Sequence, residues 1–497
     1  MKHIKSRLAA IDWPLLLLLT VVANQAVLWL KFAGLLLVFV LRPQLRGLFK
    51  KDRLSLFYPL VILLGALNYL LLVRDYTLPA FLASAVGLSF IAAAYLGAHQ
   101  VKLSVEKNPG KITGTLKLFV LLNALFSLAQ VAQVAWKNGV WNPYLDLPFP
   151  YGMSTGDLVM GVFGEASYNN AFVSGLLVLF FLFRRQWLYV ALCLFTELLV
   201  FGNVMLLSLA FVLLLLAGGA LAGSRLRRWK GRPGSQTGIA AFAAAIIMLG
   251  MVVVVSPANL QYIKALTLEQ ETERYQAVNT YEAEKTADQQ QAQPLSYLVS
   301  RLDFHKYSRP DCVSDTQDVA ARRAMTQYAV AALKGKKLSF LETKAYLNSG
   351  VGPFLLGAGP SRFSSLTAAR FSGLDSSRLF TKVLPSFATC AYSENHRLIH
   401  ITRVSGDDAW LSNANWPDSF FNQLAGEYGL LGILLFLIFY VWRYLRHAGR
   451  LQYGLWISAL MIPIALLTYL IEPLCVLFFY ELLMEKDLAD HPPTLAT

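Results

Sequence analysis

Trp416-Pro417-Asp418-Ser419-Phe420-Phe421-Asn422-Gln423-Leu424-Ala425-Gly426-Glu427-Tyr428-Gly429-Leu430-Leu431-Gly432 leads from a polar segment straight into an apolar run, 424–442. A membrane-spanning helix needs about 20 apolar residues. Runs near that length recur at 54–73, 78–97, 116–135, 168–183, 187–202, 204–222, 237–256 and 454–472. With 56% hydrophobic and 15% charged residues among 497, the chain has more apolar surface than one soluble core could use. The expected fold is all-α, a polytopic transmembrane helix bundle of about 11–12 spans carrying a large, mostly helical loop domain.

A net charge of +14 raises the question of nucleic acid, and the placement of the basic residues answers it. They cluster in short loops: Arg42, Arg46, Lys50, Lys51 and Arg53; Lys102, Lys107 and Lys111; Arg184 and Arg185; Arg225, Arg227, Arg228, Lys230 and Arg232; Arg443, Arg446 and Arg450. An even number of spans separates each cluster from the next, so one assignment puts all five in the cytoplasm, as the positive-inside rule requires. No nucleic-acid partner is expected. The loop 137–167 and the segment 257–420 then face outward. Residues 12–41 leave two readings: two short passes around Lys31 keep the basic start (Lys2, Lys5, Arg7) inside, whereas one pass puts Met1 outside. That start lacks a small-residue cleavage site, so no cleavable signal peptide is expected.

Three parts follow: an N-terminal transmembrane bundle, 1–256; an outward loop domain, 257–423; and C-terminal transmembrane helices with a tail, 424–497. The first half of the loop domain is acidic, with Glu269, Glu271, Glu273, Glu282 and Glu284 along a polar helix. The second half is basic, with Arg322, Arg323, Arg362, Arg370, Arg378, Arg397 and Arg403. An outward surface gains nothing from the positive-inside bias, so this excess needs another cause. Cys193 and Cys475 lie in apolar spans as small hydrophobes, whereas Cys312 and Cys390 both face outward, where a disulfide between them can form. Sequence does not supply the Cα separation such a bridge needs. No Cys/His/Asp cluster has metal-ligand spacing, so neither metal nor cofactor is expected.

Gly357-Ala358-Gly359-Pro360-Ser361-Arg362-Phe363 reads as a turn followed by a helix, with Ser361 or the preceding turn as cap and Arg362 in the first helical turn. Free N–H groups beside a guanidinium suit an anion. A plain Gly/Pro helix entry with its Arg in water is the simpler alternative. Glu197, Glu472 and the stretch from Glu165 to Asn170 are costly in lipid and so should face the bundle interior, either lining a groove or bonding between helices. Trp136, Trp141, Tyr144 and Tyr151 suit interface anchoring or stacking on a ligand.

The Gly-x-Gly-Pro turn, paired with Glu427, Gly429 and Gly432 entering a membrane helix below a large outward loop, resembles the O-antigen ligase and polysaccharide polymerase superfamily. Gln423 falls where that family commonly has a polar residue. The resemblance implies a C-type glycosyltransferase-like fold in the bacterial inner membrane, with the loop domain in the periplasm. The position where ligases place a histidine holds Asp418, which favours the polymerase branch. The implied reaction is attack by a sugar hydroxyl on the anomeric carbon of a glycan carried on polyprenyl diphosphate.

Charge develops on the departing diphosphate, so arginines matter more than a strong base. Arg362 leads the candidates, with Arg370, Arg378, Arg397 and Arg403, and with Arg322 and Arg323 behind them; each alone also reads as a solvated side chain. Asp418 serves either as base or as a plain helix-start acid. At ~100° per residue, the steps from Asp418 to Glu427 put the two on opposite faces of a straight helix unless Gly426 breaks it. His396 and His400 read either as substitutes for the missing histidine or as simple loop residues. The implied partners are a polyprenyl-diphosphate-linked oligosaccharide, membrane lipid, a chain-length regulator and a flippase. Rival readings are glycan ligation, a transporter or flippase, and a non-catalytic assembly factor. A carrier generally shows repeated halves, and no internal repeat is visible in this chain.

Overall fold

The computed structural model describes residues 9–23, 28–46, 48, 54–72, 76–146, 159–164, 167–221, 234–255, 335–372, 389–396 and 419–492, and every regular element among them is helical. The first half is built from α1 (Trp13–Val22), α2 (Leu28–Leu41), α3 (Phe57–Leu72), α4 (Leu78–Lys107), α5 (Pro109–Asn138), α6 (Ser167–Phe183), α7 (Trp187–Val200), α8 (Asn203–Leu221) and α9 (Ser235–Val255). The described residues between 335 and 396 supply α10 (Gly335–Leu347), α11 (Val351–Leu356), α12 (Leu366–Phe371) and α13 (Ala391–Asn395). The chain closes with α14 (Phe420–Leu435), α15 (Gly454–Leu467) and α16 (Cys475–Asp490).

Four of these are long and apolar enough to cross a membrane: α4, α5, α9, and α14 with its continuation to Arg450. Shorter apolar helices accompany them, including α1, α2, α3, α6 and α15. The interior is α16 and α6, whose side chains are almost all buried, with Phe479 of α16 against Phe119 of α5 at 4.7 Å between ring centres. The rim is apolar as well. Leu71 on α3, Phe211 on α8, and Ile247 and Val254 on α9 are exposed. Water disfavours such a continuous apolar exterior, whereas lipid accepts it.

The described residues of 13–41 form two short apolar helices, α1 and α2, as the reading with two passes expects. α1 ends at Val22 and α2 begins at Leu28, so Lys31 is not the point between them. Lys31 sits inside α2, buried, where its Nζ donates to the carbonyls of Glu472 and Pro473, both at 2.9 Å. Both ends of the hairpin return to one place: Arg42 pairs with Asp12, and Asn108 Nδ2 donates to Asp12 Oδ2 at 3.2 Å. Four of the five basic clusters meet at this end. Lys102 and Arg443 both pair with Glu485, Arg184 pairs with Asp490, and Arg450 donates to the carbonyls of Leu488 and His491. Loops far apart in sequence are thus in direct contact, while Arg225, Arg227, Arg228, Lys230 and Arg232 lie outside the described residues.

Candidate functional site

At the opposite end of α4 and α14 from these ion pairs, the two glycine motifs meet. α14 is not continuous: Gly429, at φ 62° and ψ −161°, breaks it. The break strips the carbonyls of Gly426 and Glu427 of their helical donors, and the turn after α11 replaces them. Ala358 N–H donates to Gly426 O at 2.7 Å and Gly359 N–H to Glu427 O at 3.0 Å. Two backbones this close leave no room for side chains. A Cβ on Gly357 would lie 2.5 Å from the Glu427 carbonyl carbon, and one on Gly429 would lie 2.5 Å from that of Leu355. Both glycines also occupy a conformation essentially closed to other residues.

The turn is wedged between α3, α4 and α14. Asn68 Nδ2 on α3 donates to Leu356 O at 2.5 Å and Gly357 O at 3.1 Å, and Ser84 Oγ on α4 donates to Pro360 O at 3.2 Å. Ser361 is held at φ 57°, an unusual value for a residue with a side chain. This corrects the expected cap. The chain stays irregular through Ser365, whose side chain accepts from Ala368 N and starts α12 at Leu366. Arg362 therefore lies on the turn itself, not in a first helical turn.

Arg362 is half-buried, and its Nη1 is buried with no hydrogen-bond partner. Asn395 Nδ2 donates to its carbonyl at 2.6 Å and fixes the backbone. Burial pushes the nearby Tyr346 hydroxyl up to about 12 against the pull of the Arg362 charge. Beneath the turn lie two buried carboxyl groups. Glu427 Oε1 accepts from Phe363 N–H at 3.3 Å, while Glu472 Oε1 accepts from Gln423 Nε2 at 3.2 Å and Thr367 N–H at 3.5 Å. Glu472 lies in the turn between α15 and α16, not inside an apolar span. Burial raises its carboxyl above the ordinary range, opposed by that N–H, the Arg370 charge and the Gln423 amide. Glu472 Oε2 and Gln423 Oε1 are buried without partners.

The site thus gathers Arg362, Arg370, Gln423, Glu427, Glu472, Gly357, Gly359 and Gly429. Gly432 packs on the preceding turn of its own helix, against Tyr428. The break falls after Glu427, at Gly429 and not at Gly426; Gly426 instead leaves space for the Phe363 ring. Asp418, Arg322, Arg323, Arg378, Arg397, Arg403, His400, Cys312, Glu165 and Tyr151 lie outside the described residues. Cys390 is disulfide-bonded, while Cys193 and Cys475 are free.

His396 is fully buried and does not reach the carboxyl pair. Its Nε2 bonds Ser364 Oγ at 2.6 Å, its Nδ1 bonds Glu342 Oε2 at 2.9 Å, and the Phe363 ring packs on it at 4.4 Å. Hydroxyl, imidazole and carboxylate in this order can activate a nucleophile. Ser364 has no exposed surface, however, so the trio braces the turn from behind. In the bundle, Asn170 takes the structural role: it accepts from Asn123 Nδ2 at 2.6 Å and donates to Ser127 Oγ at 2.9 Å. Glu197 on α7 is buried facing Gly175 of α6. Trp136 and Trp141 are exposed, whereas Tyr144 is buried and bonds Leu199 O at 2.6 Å.

Sequence reasoning missed Asn68, Ser364 and Glu342. A lone amide within the apolar run 54–73 was a signal for Asn68; the other two sit in no motif. No protein-family model, curated protein or solved structure matches this chain, so the site is read from its own geometry.

Proposed function

We propose that this chain is a glycosyltransferase of the bacterial inner membrane that polymerises polyprenyl-diphosphate-linked polysaccharide repeat units at the periplasmic face. An acceptor sugar hydroxyl attacks the anomeric carbon of the donor, the bond from that carbon to the diphosphate oxygen breaks, and the diphosphate leaves with the electron pair. Arg362 and Arg370 stabilise the charge that develops on it. Asp418, adjacent in sequence to the α14 cap Ser419, takes the hydroxyl proton. Glu427 and Gln423, buried one helical turn apart on α14, support the turn that carries Arg362: Glu427 accepts from Phe363 N–H and Gln423 donates to Glu472.

One observation carries this reading: a guanidinium with a buried, unpartnered nitrogen stands on a turn that two glycine motifs lock against a broken helix. A group held so firmly yet lacking a partner suits an anion that arrives and departs. The test is to express Arg362→Gln and Asp418→Asn separately and resolve surface glycan length on a gel. Loss of long chains at normal protein level supports polymerisation. Long chains retained on the lipid carrier indicate ligation, and unchanged glycans in both variants refute the site.

A further inference from the structure

The basic end of the bundle holds a cavity of about 310 Å³ that glycan transfer does not use. Lys102 enters it from α4, Glu485 from α16, and Arg443, Arg446 and Arg450 from the stretch beyond α14; Glu106 is its other carboxylate. Four permanent cations thus surround a hollow with two carboxylates. Glu485 holds Lys102 and Arg443, and Arg450 is turned to two backbone carbonyls. Arg446 differs. Its Nε donates to His447 Nε2 at 3.2 Å, which makes that imidazole a neutral acceptor, and among the described residues it has no ion pair. The positive-inside bias calls for cations near the boundary, not for cations walling a cavity.

We propose that this cavity binds a phosphate group, supplied by the headgroup of an anionic membrane lipid. Arginine forks and a lysine point charge match phosphate oxygens, and cationic hollows between helices take phosphorylated headgroups. The surroundings favour the lipid as source: Trp442 and Leu445, 60% and 44% exposed, flank Arg443 and Arg446 and offer apolar surface for acyl chains. The site is separate from the glycine turn. α4 meets that turn at Ser84 and Gly87 and the cavity at Lys102, about 22 Å along the helix from Gly87.

The test uses purified full-length protein in nanodiscs of phosphatidylcholine, either doped with phosphatidylglycerol or titrated with inorganic phosphate, with thermal unfolding as the readout. Arg446→Gln removes an exposed guanidinium, and Lys137→Gln removes the same charge from an exposed site at the far end of α5. Anionic lipid is expected to raise the Tm of wild-type and Lys137→Gln alike, with Arg446→Gln needing about fivefold more lipid for the same rise. The same pattern with inorganic phosphate instead supports the cavity with a soluble source. If Arg446→Gln responds as wild-type does in both arms, or wild-type responds in neither, the proposal is overturned.

Discussion

The two ends of the bundle treat charge in opposite ways. At the basic end cations are tied to acids: Arg42 to Asp12, Lys102 and Arg443 to Glu485, Arg184 to Asp490. At the glycine-turn end the buried acids are held by N–H groups and an amide, and Arg362 keeps a buried nitrogen unpartnered. Paired charges tie helices together, so their loss should register as stability. An unpartnered charge ties no helices together, so its loss should register little in stability.

The sharpest way to break the comparison is at the backbone contact that creates the second end. Gly429→Ala and Gly357→Ala each add strain and a clash with main chain, together about 2–6 kcal/mol. Folded protein, followed by fluorescence size-exclusion, should fall steeply for both; normal yields would show that the motifs do not interlock. Next is the paired end. Arg42→Ala leaves Asp12 buried without its cation, a loss of about 3–5 kcal/mol in thermal unfolding, whereas Arg362→Gln should change stability by less than about 1 kcal/mol. Equal losses would erase the distinction between tether and site.

A smaller effect is expected behind the turn. His396→Ala strands the buried Ser364 Oγ, at about 1–3 kcal/mol, and should loosen the turn without removing a group that meets substrate. A glycan ladder lost at full stability would instead make His396 catalytic. The smallest effect concerns pH. Because burial raises the Glu472 carboxyl, its stabilising contribution is complete below the unfolded carboxyl value, about 4.3, and is lost as pH rises through the higher folded value. The Tm of Glu472→Gln minus that of wild-type should therefore widen as pH rises above about 4; a constant gap would mean that Glu472 is ordinary.

Much of the architecture was legible because hydropathy and charge act over whole segments. The apolar runs 54–73, 78–97 and 116–135 correspond to α3, α4 and α5, and the four basic clusters among the described residues gather at one end. The glycine motifs were legible as positions, since Gly357 and Gly429 have no substitute. Their mutual contact was not, because nothing in the sequence says that residue 358 donates to residue 426. Local pattern misled at Ser361, where Gly-Pro-Ser looked like a helix cap. The packing of Pro360 against α3 and α4 holds the chain irregular until Ser365. Lys31 misled for a related reason: a lysine between apolar residues looks like a loop, yet two carbonyls in the turn before α16 accept its charge inside the bundle.

The most direct measurement is transfer by purified Arg362→Gln in proteoliposomes supplied with a polyprenyl-diphosphate-linked repeat unit, read as product chain length. The account predicts that wild-type extends chains while the variant, equally stable, leaves single units on the carrier. A variant that builds the same ladder at the same rate would contradict it.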